Sequence, residues 1–452
     1  MNQRALAAII LAAGHGTRMK STVPKVLHEI GGRSMLAHVM AAAGELSPAR
    51  LAVVIGDHAP GVGEAARAER SDAAIAVQAP PRGTGDAVMK AMGALEGFAG
   101  TVLVLYADTP LIGADTLAAL AGKVGEGAAA AVLGFTPDDP GAYGRLKTAP
   151  DGSLEAIVEA KDANAEELEI GFVNSGVMAI DAAFLARALP QLTNDNAKGE
   201  YYLTDVVAIA RREGLSCAVI EADEEEVIGV NSRVELAVAE EIFQDSRRLA
   251  ALEAGVTLID PSTVYFSHDT VIANDVVIEP NVFFGKRVSV ASGATIKAYS
   301  HIEGADIGEG ASVGPFARLR PGARLGADAK VGNFVEVKNA DLGDGAKVSH
   351  LTYIGDATIG AEANIGAGTI TCNYDGFSKH RTVIGGGAFI GSNTALVAPV
   401  TVGAGAYVGS GSVITKDVEA DALAVARGRQ SEIKGWAAKF RKIHAGGKND
   451  KS

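Results

Sequence analysis

The second half of the chain carries an aliphatic residue at every sixth position, and this repeat restricts the fold more than any other feature. It extends over residues 272–414, and Gly often follows the aliphatic residue, as in Ile307-Gly308 and Ile390-Gly391. Such hexapeptide repeats predict a parallel β-helix, in which three short strands form one triangular coil of about 18 residues. We therefore expect the aliphatic side chains to point inward and to stack from coil to coil. The repeating positions are Ile272, Ile278, Phe284, Val290, Ile296, Ile302, Ile307, Val313, Leu319, Leu325, Val331, Val337, Leu342, Val348, Ile354, Ile359, Ile365, Ile384, Ile390, Leu396, Val402, Val408 and Ile414.

One segment, Thr371–Thr382, interrupts the repeat with the polar and aromatic sequence TCNYDGFSKHRT. A rigid coil that extrudes one loop of this composition favours a binding loop, because binding residues often lie on loops held by a rigid scaffold. The alternative is a surface insertion that the fold tolerates. Asn373 and Tyr374 are the candidate ligand-binding residues of this loop.

Residues 1 to about 230 alternate short apolar runs with Ala-rich helical patterns. This alternation predicts βαβ units and a mostly parallel sheet. Ligands bind at the carboxyl ends of the strands in such sheets, so we expect a site there. The predicted buried strands are Ala7–Leu11, Leu51–Ile55, Ala74–Val77, Val102–Leu105 and Ala130–Leu133, and the predicted helices include Ser34–Ala43 and Gly85–Ala94.

The pattern changes twice along the chain, which predicts three parts. One long helical pattern over Ser232–Ala254 ends at Gly255 and suggests a linker between domains. Beyond the β-helix we expect a short helix at Trp436–Ile443 and disorder over residues 446–452. The predicted parts are an α/β domain over residues 1–230, a helical linker over 231–255, and a β-helix domain with its C-terminal tail over 256–452.

Charge and cysteine content narrow the class of protein. The net charge of -13 argues against a general nucleic-acid or anionic-membrane binder, although local clusters of Lys and Arg can still bind small anionic substrates. Cys217 and Cys372 are too few for a disulfide framework or a cysteine metal site, which favours the reducing cytoplasm. The apolar stretch Ala5–Ala13 resembles a short signal peptide, but a buried strand before a phosphate loop explains it better.

A glycine-rich segment follows the first predicted strand and precedes a helix. Gly14 and Gly16 allow a tight loop whose successive backbone N–H groups can point at phosphates. Arg18 adds a forked cation for phosphate oxygens, and Lys25 adds a second charge. On its own this segment is also compatible with an ordinary turn.

Two further segments follow later strands of the same domain. Gln78 and Gly83-Thr84-Gly85 offer amide, hydroxyl and backbone groups to a nucleobase. Asp108 ends the fourth strand, where a carboxylate can hold the hard cation that nucleotidyl transfer requires. The alternative role for Asp108 is a helix cap.

The β-helix carries a candidate for acyl transfer, which needs a base for the attacking amine. His350 lies two positions after the inward-pointing Val348, so its ring is free to point away from the coil. A structural histidine is the alternative. Arg320 and Lys338 occupy polar positions on nearby coils, where they can bind a sugar phosphate.

The order of these motifs resembles that of the bifunctional N-acetylglucosamine-1-phosphate uridyltransferases/glucosamine-1-phosphate acetyltransferases. The resemblance covers nearly the whole chain, although His15 stands where many members of the family carry Lys. It implies a Rossmann-like nucleotidyltransferase domain and a left-handed β-helix. The segments that carry the resemblance are Leu11–Met19, Pro24–Leu27, Gly83–Gly85, Asp108–Leu111, Gly144-Arg145, Val158–Asp162, Asn174–Gly176, Gly199–Asp205, Gly332–Lys338, His350–Asp356 and Asn364–Asp375.

The resemblance also implies two reactions, acetylation of glucosamine 1-phosphate by acetyl-CoA and uridylyl transfer from UTP to the product. The product feeds peptidoglycan and lipopolysaccharide precursors. Asp108 and Asn231 are implied Mg²⁺ ligands, and His350 is the implied catalytic base. The implied ligands of the uridine nucleotide and its sugar phosphate are Leu11, Ala13, Gly14, Arg18, Lys25, Gln78, Gly83, Thr84, Gly144, Glu159, Asn174 and Asn231. The implied ligands of glucosamine 1-phosphate are Arg320, Lys338, Tyr353, Asn364 and Lys379, and those of acetyl-CoA are Asn373, Tyr374, Ser392, Ser410 and Arg427.

Members of this family form homotrimers with acetyltransferase sites between chains, so we expect a cytoplasmic homotrimer that binds neither nucleic acid nor membrane. Two other interpretations remain at this point. The β-helix can be a mere oligomerisation module on a single-function nucleotidyltransferase. A β-helix metalloenzyme similar to γ-carbonic anhydrase needs clustered histidines, and His268, His301, His350 and His380 lack the expected spacing.

Overall fold

A computed structural model describes residues 4–445 of the chain. Contacts divide these residues into two compact units: residues 4–250 with 266–268, and residues 251–265 with 269–445. Within this range, no helix combines the length and apolar character needed to cross a membrane. The predicted disorder of residues 446–452 lies outside the described residues.

The first unit is built around one mixed, mostly parallel sheet. The predicted strands and their parallel pairing are confirmed, since the Leu6–Ala12 strand pairs in parallel with Arg50–Gly56 and Thr101–Tyr106. Nearly every residue of Leu6–Ala12 is buried, as expected for a strand covered on both faces. Across the sheet, the strands run in the order Cys217–Glu221, Ala130–Phe135, Val173–Asp181, Thr101–Tyr106, Leu6–Ala12, Arg50–Gly56 and Ala74–Gln78.

Helices cover both faces of this sheet, and their ends follow local sequence signals. The Ser34 hydroxyl caps the first long helix by accepting a hydrogen bond from the Ala37 N–H, so the helix begins one residue later than the predicted Ser34. The predicted 85–94 helix is instead an α-helix over Thr84–Ala91 followed by a 3₁₀ turn at Met92–Leu95. The helices of this unit are Met35–Glu45, Pro60–Glu69, Thr84–Ala91, Ala114–Gly125, Ala165–Leu168, Ala182–Ala188, Asp205–Arg212, Glu224–Val227 and, as far as residue 250, Arg233–Glu253.

Sequence periodicity did not identify the antiparallel part of the sheet. The Val173–Asp181 strand lies antiparallel between Ala130–Phe135 and Thr101–Tyr106, and it also pairs with a hairpin formed by Arg145–Thr148 and Leu154–Val158. The register of Val173–Asp181 shifts at Asn174 to Met178, and this irregularity breaks the alternation that marks a strand.

The second unit is a parallel β-helix, as the repeat predicts. Equivalent aliphatic residues pair from coil to coil, for example Val313 with Val331 and Val331 with Val348. One face consists of Thr257–Leu258, Val277–Ile278, Thr295–Ile296, Ser312–Val313, Lys330–Asn333, Lys347–His350, Asn364–Ile365, Phe389–Ile390, Tyr407–Val408 and Leu423–Ala424.

The other two faces are joined because two strands, Glu336–Leu342 and Tyr353–Ile359, continue around a corner. The remaining strands of the second face are Val264–Tyr265, Val282–Phe284, His301–Ile302, Arg318–Leu319, Ile370–Cys372, Ala395–Val397 and Val413–Ile414. Those of the third face are Val271–Ile272, Val288–Val290, Ala305–Ile307, Ala323–Leu325, Thr382–Ile384 and Val400–Val402.

The β-helix has two further features, the corners between its strands and the loop that interrupts the repeat. Side chains in the left-handed region, such as Tyr299, Phe316 and Phe334, turn one row of corners. The interruption is shorter than predicted, because Ile370–Cys372 and Thr382–Ile384 are strands that keep pairing with their neighbours. After the last coil, the predicted C-terminal helix is confirmed over Trp436–Ala445.

Candidate active sites

A cavity of about 280 Å³ lies where three strands of the first unit end. The strands are Leu6–Ala12, Ala74–Gln78 and Thr101–Tyr106, so the cavity occupies the expected carboxyl edge of the sheet. Eight predicted nucleotide or metal ligands line it: Leu11, Ala13, Gly14, Lys25, Gln78, Gly83, Thr84 and Asp108. Ala12, Val26, Pro81, Ala87, Tyr106 and Glu200 complete the lining.

The glycine-rich loop closes one side of the cavity. Gly16 has φ of 61°, and a Cβ at this position would lie 2.5 Å from the Lys25 Cβ. Only glycine therefore lets this loop approach Lys25 without displacing it. Arg18 follows on an exposed 3₁₀ turn and does not line the cavity in this structure.

Lys25 links the two predicted metal ligands. Its Nζ donates hydrogen bonds to Asp108 Oδ2 and, at 3.0 Å, to Asn231 Oδ1. A carboxylate oxygen and an amide oxygen thus converge on one position that already accommodates a cation. Mg²⁺ is typically bound by a few protein oxygens, and substrate phosphates and water complete its coordination. Asp108 and Asn231 therefore fit the predicted ion. Among residues 4–445, no group of three or more His, Cys, Asp or Glu offers a competing metal site.

The predicted base-binding segment is held by local hydrogen bonds. Gln78 Nε2 donates to the Gly83 carbonyl at 2.9 Å and to Asp86 Oδ2 at 2.8 Å. Thr84 Oγ1 accepts from the Leu203 N–H at 3.0 Å. These contacts fix the start of the Thr84–Ala91 helix beside the cavity.

The predicted sugar-phosphate ligands form a neighbouring group. The Asn174 N–H donates to the Gly144 carbonyl at 2.8 Å, and Thr204 Oγ1 donates to Glu159 Oε1 at 3.3 Å. None of the three predicted ligands lines the cavity itself. Tyr106 connects the two groups: burial raises the pKa of its hydroxyl, and the charges of Asp108 and Glu159 raise it further.

In the β-helix, His350 is exposed and points away from the coil, as expected. Its Nδ1 lies 2.6 Å from Asn333 Oδ1, which belongs to the equivalent position of the preceding coil. With the amide oxygen as acceptor, Nδ1 carries the proton and Nε2 keeps its lone pair. The ring is thus oriented in the tautomer that a general base needs.

Basic side chains gather near this histidine along the strand pairs. Arg320 forms an ion pair of 2.8 Å with Glu336, and Glu336 is the register partner of Tyr353. A hydrogen bond with Lys379 and the charges of Lys379 and Arg320 lower the pKa of Lys338. A site that holds cations this close together is prepared for an anion such as a phosphate.

The extruded loop is anchored at its base and braced at its tip. Asn373 donates its amide to Asp356, which also accepts from Asn339 at 2.6 Å. Burial alone would raise the pKa of Asp356, but these two hydrogen bonds and nearby lysines hold it below its ordinary value. Tyr374, largely exposed, donates its hydroxyl hydrogen to the Gly376 carbonyl at 2.6 Å.

The remaining predicted ligands fall into two places. Ser392 and Ser410 follow the paired residues Ile390 and Val408 by two positions, so they stack on successive coils. Arg427 donates to the Ser410 carbonyl at 2.7 Å. Asn364 lies apart, paired with Lys347 on the His350 face, and within residues 4–445 no hydrogen bond joins these residues to Asn373 or Tyr374.

Several residues of both sites were not predicted from the sequence. Asn333 and Glu336 lie one coil before His350 and Tyr353, and the spacing of the coils is the signal that could have identified them. Asp86 and Tyr106 required the folded sheet, because only its geometry brings Tyr106 to the cavity and Asp86 to Gln78.

Comparison with known proteins agrees with this architecture. A family model described as MobA-like NTP transferase domain matches residues 8–214. A second, described as bacterial transferase hexapeptide (six repeats), matches residues 381–416. The fold and the two sites therefore define a transferase with a nucleotidyltransferase unit and a hexapeptide-repeat unit.

Close relatives extend over nearly the whole chain. The bifunctional protein GlmU of Azorhizobium caulinodans is 56% identical over 441 residues, which are 98% of each chain. That of Maricaulis maris is 58% identical over 97% of this chain and 96% of its own, and that of Paramagnetospirillum magneticum is 54% identical over 99% of each. The chain belongs to the family of bifunctional GlmU proteins.

Proposed function

We propose that the protein makes UDP-N-acetylglucosamine, a precursor of peptidoglycan and lipopolysaccharide, in two steps at two sites. The β-helix site transfers acetyl from acetyl-CoA to glucosamine 1-phosphate. The α/β site then joins the product to UTP with release of pyrophosphate. The observation that carries this proposal is the presence in one chain of a glycine-lined cavity with Lys25 and Asp108 and of an exposed, oriented imidazole at His350.

Uridylyl transfer needs charge neutralisation and alignment rather than a protein nucleophile. A phosphate oxygen of N-acetylglucosamine 1-phosphate attacks the α-phosphorus of UTP, and the bond to the leaving pyrophosphate breaks. The backbone N–H groups of the Gly14 loop, with Lys25 and Arg18, stabilise negative charge on the phosphates. Gly144, Glu159 and Asn174 hold the sugar phosphate in line.

Asp108 and Asn231 would hold Mg²⁺ at this site, and the ion would supply additional neutralisation of phosphate charge. Both oxygens contact Lys25 Nζ in this structure. With those oxygens on the metal, the ammonium of Lys25 would be available to the phosphates.

In acetyl transfer, His350 Nε2 accepts a proton from the amine as the nitrogen attacks the thioester carbon. The C–N bond forms, the C–S bond breaks, and the proton passes to the leaving thiolate of coenzyme A. Arg320, Lys338 and Lys379 bind the phosphate of glucosamine 1-phosphate, together with Tyr353 and Asn364. The acetyl-CoA ligands are Asn373, Tyr374, Ser392, Ser410 and Arg427.

We assign the first reaction to residues 256–452 and the second to residues 1–230, with 231–255 as the linker between them. The working form is a cytoplasmic homotrimer. Support for the trimer comes from an exposed aromatic ladder, Tyr299, Phe316 and Phe334, whose rings stack at 4.9 and 5.3 Å along one corner of the β-helix. Support for the cytoplasm comes from the two free thiols of the chain.

Separate assays of the two half-reactions test this proposal. Wild-type protein given glucosamine 1-phosphate, acetyl-CoA, UTP and Mg²⁺ should release coenzyme A thiol and pyrophosphate and form the nucleotide sugar. His350→Ala should lose thiol release by about 100-fold or more, yet keep pyrophosphate release from N-acetylglucosamine 1-phosphate and UTP. Asp108→Ala should give the opposite pattern.

His301→Ala is the matched control, because His301 is also an exposed histidine on a β-helix strand. It should leave both half-reactions unchanged. Undiminished thiol release by His350→Ala would remove His350 as the base, and absence of pyrophosphate release by the wild type would remove the uridylyl-transfer assignment.

A further inference from the structure

The hydrogen bonds of Gln78 bear on how the cavity distinguishes one pyrimidine from the other. Gln78 and Asp86 are only 5% and 8% exposed, and their side chains lie 2.8 Å apart. Gln78 lines the cavity, whereas Asp86 lies behind it on the first turn of the Thr84–Ala91 helix. Asp86 therefore affects a bound nucleotide through Gln78.

Two acceptors fix which way the Gln78 amide faces. The Gly83 carbonyl and the Asp86 carboxylate both lie within 2.9 Å of the same terminal atom of Gln78. A carbonyl and an ionised carboxylate can only accept, so that atom is the NH₂ group. The opposite orientation would set the Gln78 oxygen against two acceptors in a buried place, which is unfavourable.

Both amide hydrogens of Gln78 are used in this way, and only Oε1 is left for a ligand. Within residues 4–445, no hydrogen bond uses that oxygen. An acceptor at this position matches the N3–H of uracil. Cytosine presents an acceptor at N3, so the same contact would set two lone pairs against each other.

We propose that Asp86 is a positioning residue that makes the cavity select uracil over cytosine by holding Gln78 with its oxygen toward the base. This rests on the proposed uridylyl transfer and adds a specificity device to it. A site that hydrogen-bonds an N–H of its substrate strongly rejects an analogue that lacks this N–H. It rejects an analogue that differs only in size less strongly. Lys90 is a further polar neighbour of Asp86, and its Nζ lies 3.9 Å from the carboxylate.

Asp86→Asn tests the proposal with little change in volume. The introduced amide can present either its oxygen or its NH₂ to Gln78, so only the Gly83 carbonyl still favours the wild-type orientation and the flipped one becomes accessible. We expect the ratio of kcat/KM for UTP to that for CTP to fall about tenfold, chiefly because CTP improves. Lys90→Met is the control: it removes the neighbour of Asp86 without touching Gln78 and should leave the ratio unchanged.

A measurement on the wild-type enzyme does not depend on the folding of any variant. N3-methyl-UTP lacks the N3–H and should be used about as poorly as CTP, whereas 5-methyl-UTP keeps the N3–H and should be used well. The inference fails if the wild type uses CTP or N3-methyl-UTP as readily as UTP. It also fails if folded Asp86→Asn protein keeps the wild-type ratio. Failure of the wild type to use UTP at all would instead overturn the proposed function.

Discussion

At the scale of single residues, the proposed acetyltransferase site depends on one contact between neighbouring coils. The strand pairing that stacks Val331 on Val348 also places Asn333 beside His350. The regular spacing of the hexapeptide repeat therefore also determines the orientation of the imidazole. The next strand pair of the same two coils sets Glu336 beside Tyr353, so the stacking of these coils determines several side chains of the site.

Asn333→Ala should lower kcat for acetyl transfer by about 10- to 100-fold, because the His350 ring loses the acceptor that fixes its tautomer. KM for glucosamine 1-phosphate should change little. Steady-state thiol release measures both constants. Asn333→Asp keeps an oxygen acceptor and should retain more activity, with the acidic limb of the pH profile moved to higher pH because the carboxylate favours the protonated ring. Equal loss in both variants would contradict an orienting role.

The pH dependence of phosphate binding tests the crowding of cations at Lys338. Neighbouring positive groups lower the pKa of Lys338. Its ammonium therefore loses its proton at a lower pH than a free lysine, and affinity for glucosamine 1-phosphate falls as pH rises through that value. Lys379→Met removes the main neighbour, so the alkaline limb of 1/KM should move to higher pH while affinity at neutral pH falls. An unmoved alkaline limb would contradict the coupling.

At the scale of elements, the extruded loop is a hairpin held by one carboxylate. Asp375 accepts hydrogen bonds from the Phe377 and Ser378 N–H groups at 2.8 and 2.7 Å and from His380 Nε2 at 2.8 Å. These bonds hold the pKa of Asp375 well below its usual range. The loop is therefore ordered by its own contacts, which lowers the ordering cost of binding a ligand.

Asp375→Ala should raise KM for acetyl-CoA about tenfold with a smaller effect on kcat, because the loop then has to be ordered on binding. Hydrogen exchange at residues 373–381 should become faster. Asp306→Ala is the matched control, since Asp306 is an aspartate elsewhere on the β-helix that accepts a 2.6 Å hydrogen bond from Ser289. If hydrogen exchange became faster while KM for acetyl-CoA stayed unchanged, the order of the loop would not contribute to acetyl-CoA binding, and the prediction would be wrong.

The β-helix core gives a prediction about stability. Ile296 is fully buried between paired strands, and Ile296→Ala leaves a cavity that should cost about 2–5 kcal/mol of unfolding free energy. Val271, 66% exposed on another face, should tolerate Val271→Ala within about 0.5 kcal/mol. Denaturant unfolding followed by circular dichroism measures the shift in midpoint. Similar shifts for the two variants would contradict the inward stacking.

Strong periodicity explains which elements the sequence could predict. The hexapeptide repeat and the apolar strands such as Leu6–Ala12 are long, regular patterns, and they were confirmed. The hairpin Arg145–Thr148 with Leu154–Val158 has short, half-polar strands, so nothing local marked it. In the sites, ligands on motifs were predicted, whereas Asp86 acts through a contact that exists only after folding.

At the scale of the whole molecule, the aromatic ladder leaves apolar surface exposed along one corner. Tyr299, Phe316 and Phe334 are 56%, 46% and 55% exposed, and Leu351 continues the row directly after His350. A contiguous apolar stripe of this kind marks an interaction surface. Its position next to His350 agrees with acetyltransferase sites shared between chains of the proposed trimer.

Replacing Phe316 and Phe334 together by Ser should convert the proposed trimer to monomer, because it removes the apolar area that association would bury. Light scattering coupled to size-exclusion chromatography measures the mass. Acetyl transfer should fall with the loss of trimer, while uridylyl transfer is retained. Val271→Ser changes an exposed residue on another face and should leave the mass unchanged. A doubly substituted protein that stays trimeric would place the interface elsewhere.

The continuity of the coil across its one interruption bears on how such enzymes change over generations. Ile365 still pairs with Ile390, and Ile390 with Val408, although the extra loop lies between the first two. The strand pairing keeps its register after the loop, so residues added at a corner leave adjacent coils undisturbed. A longer loop adds little to the entropic cost of closing it. A lineage can therefore gain or exchange a substrate-contacting segment by a short insertion while inheriting the scaffold intact.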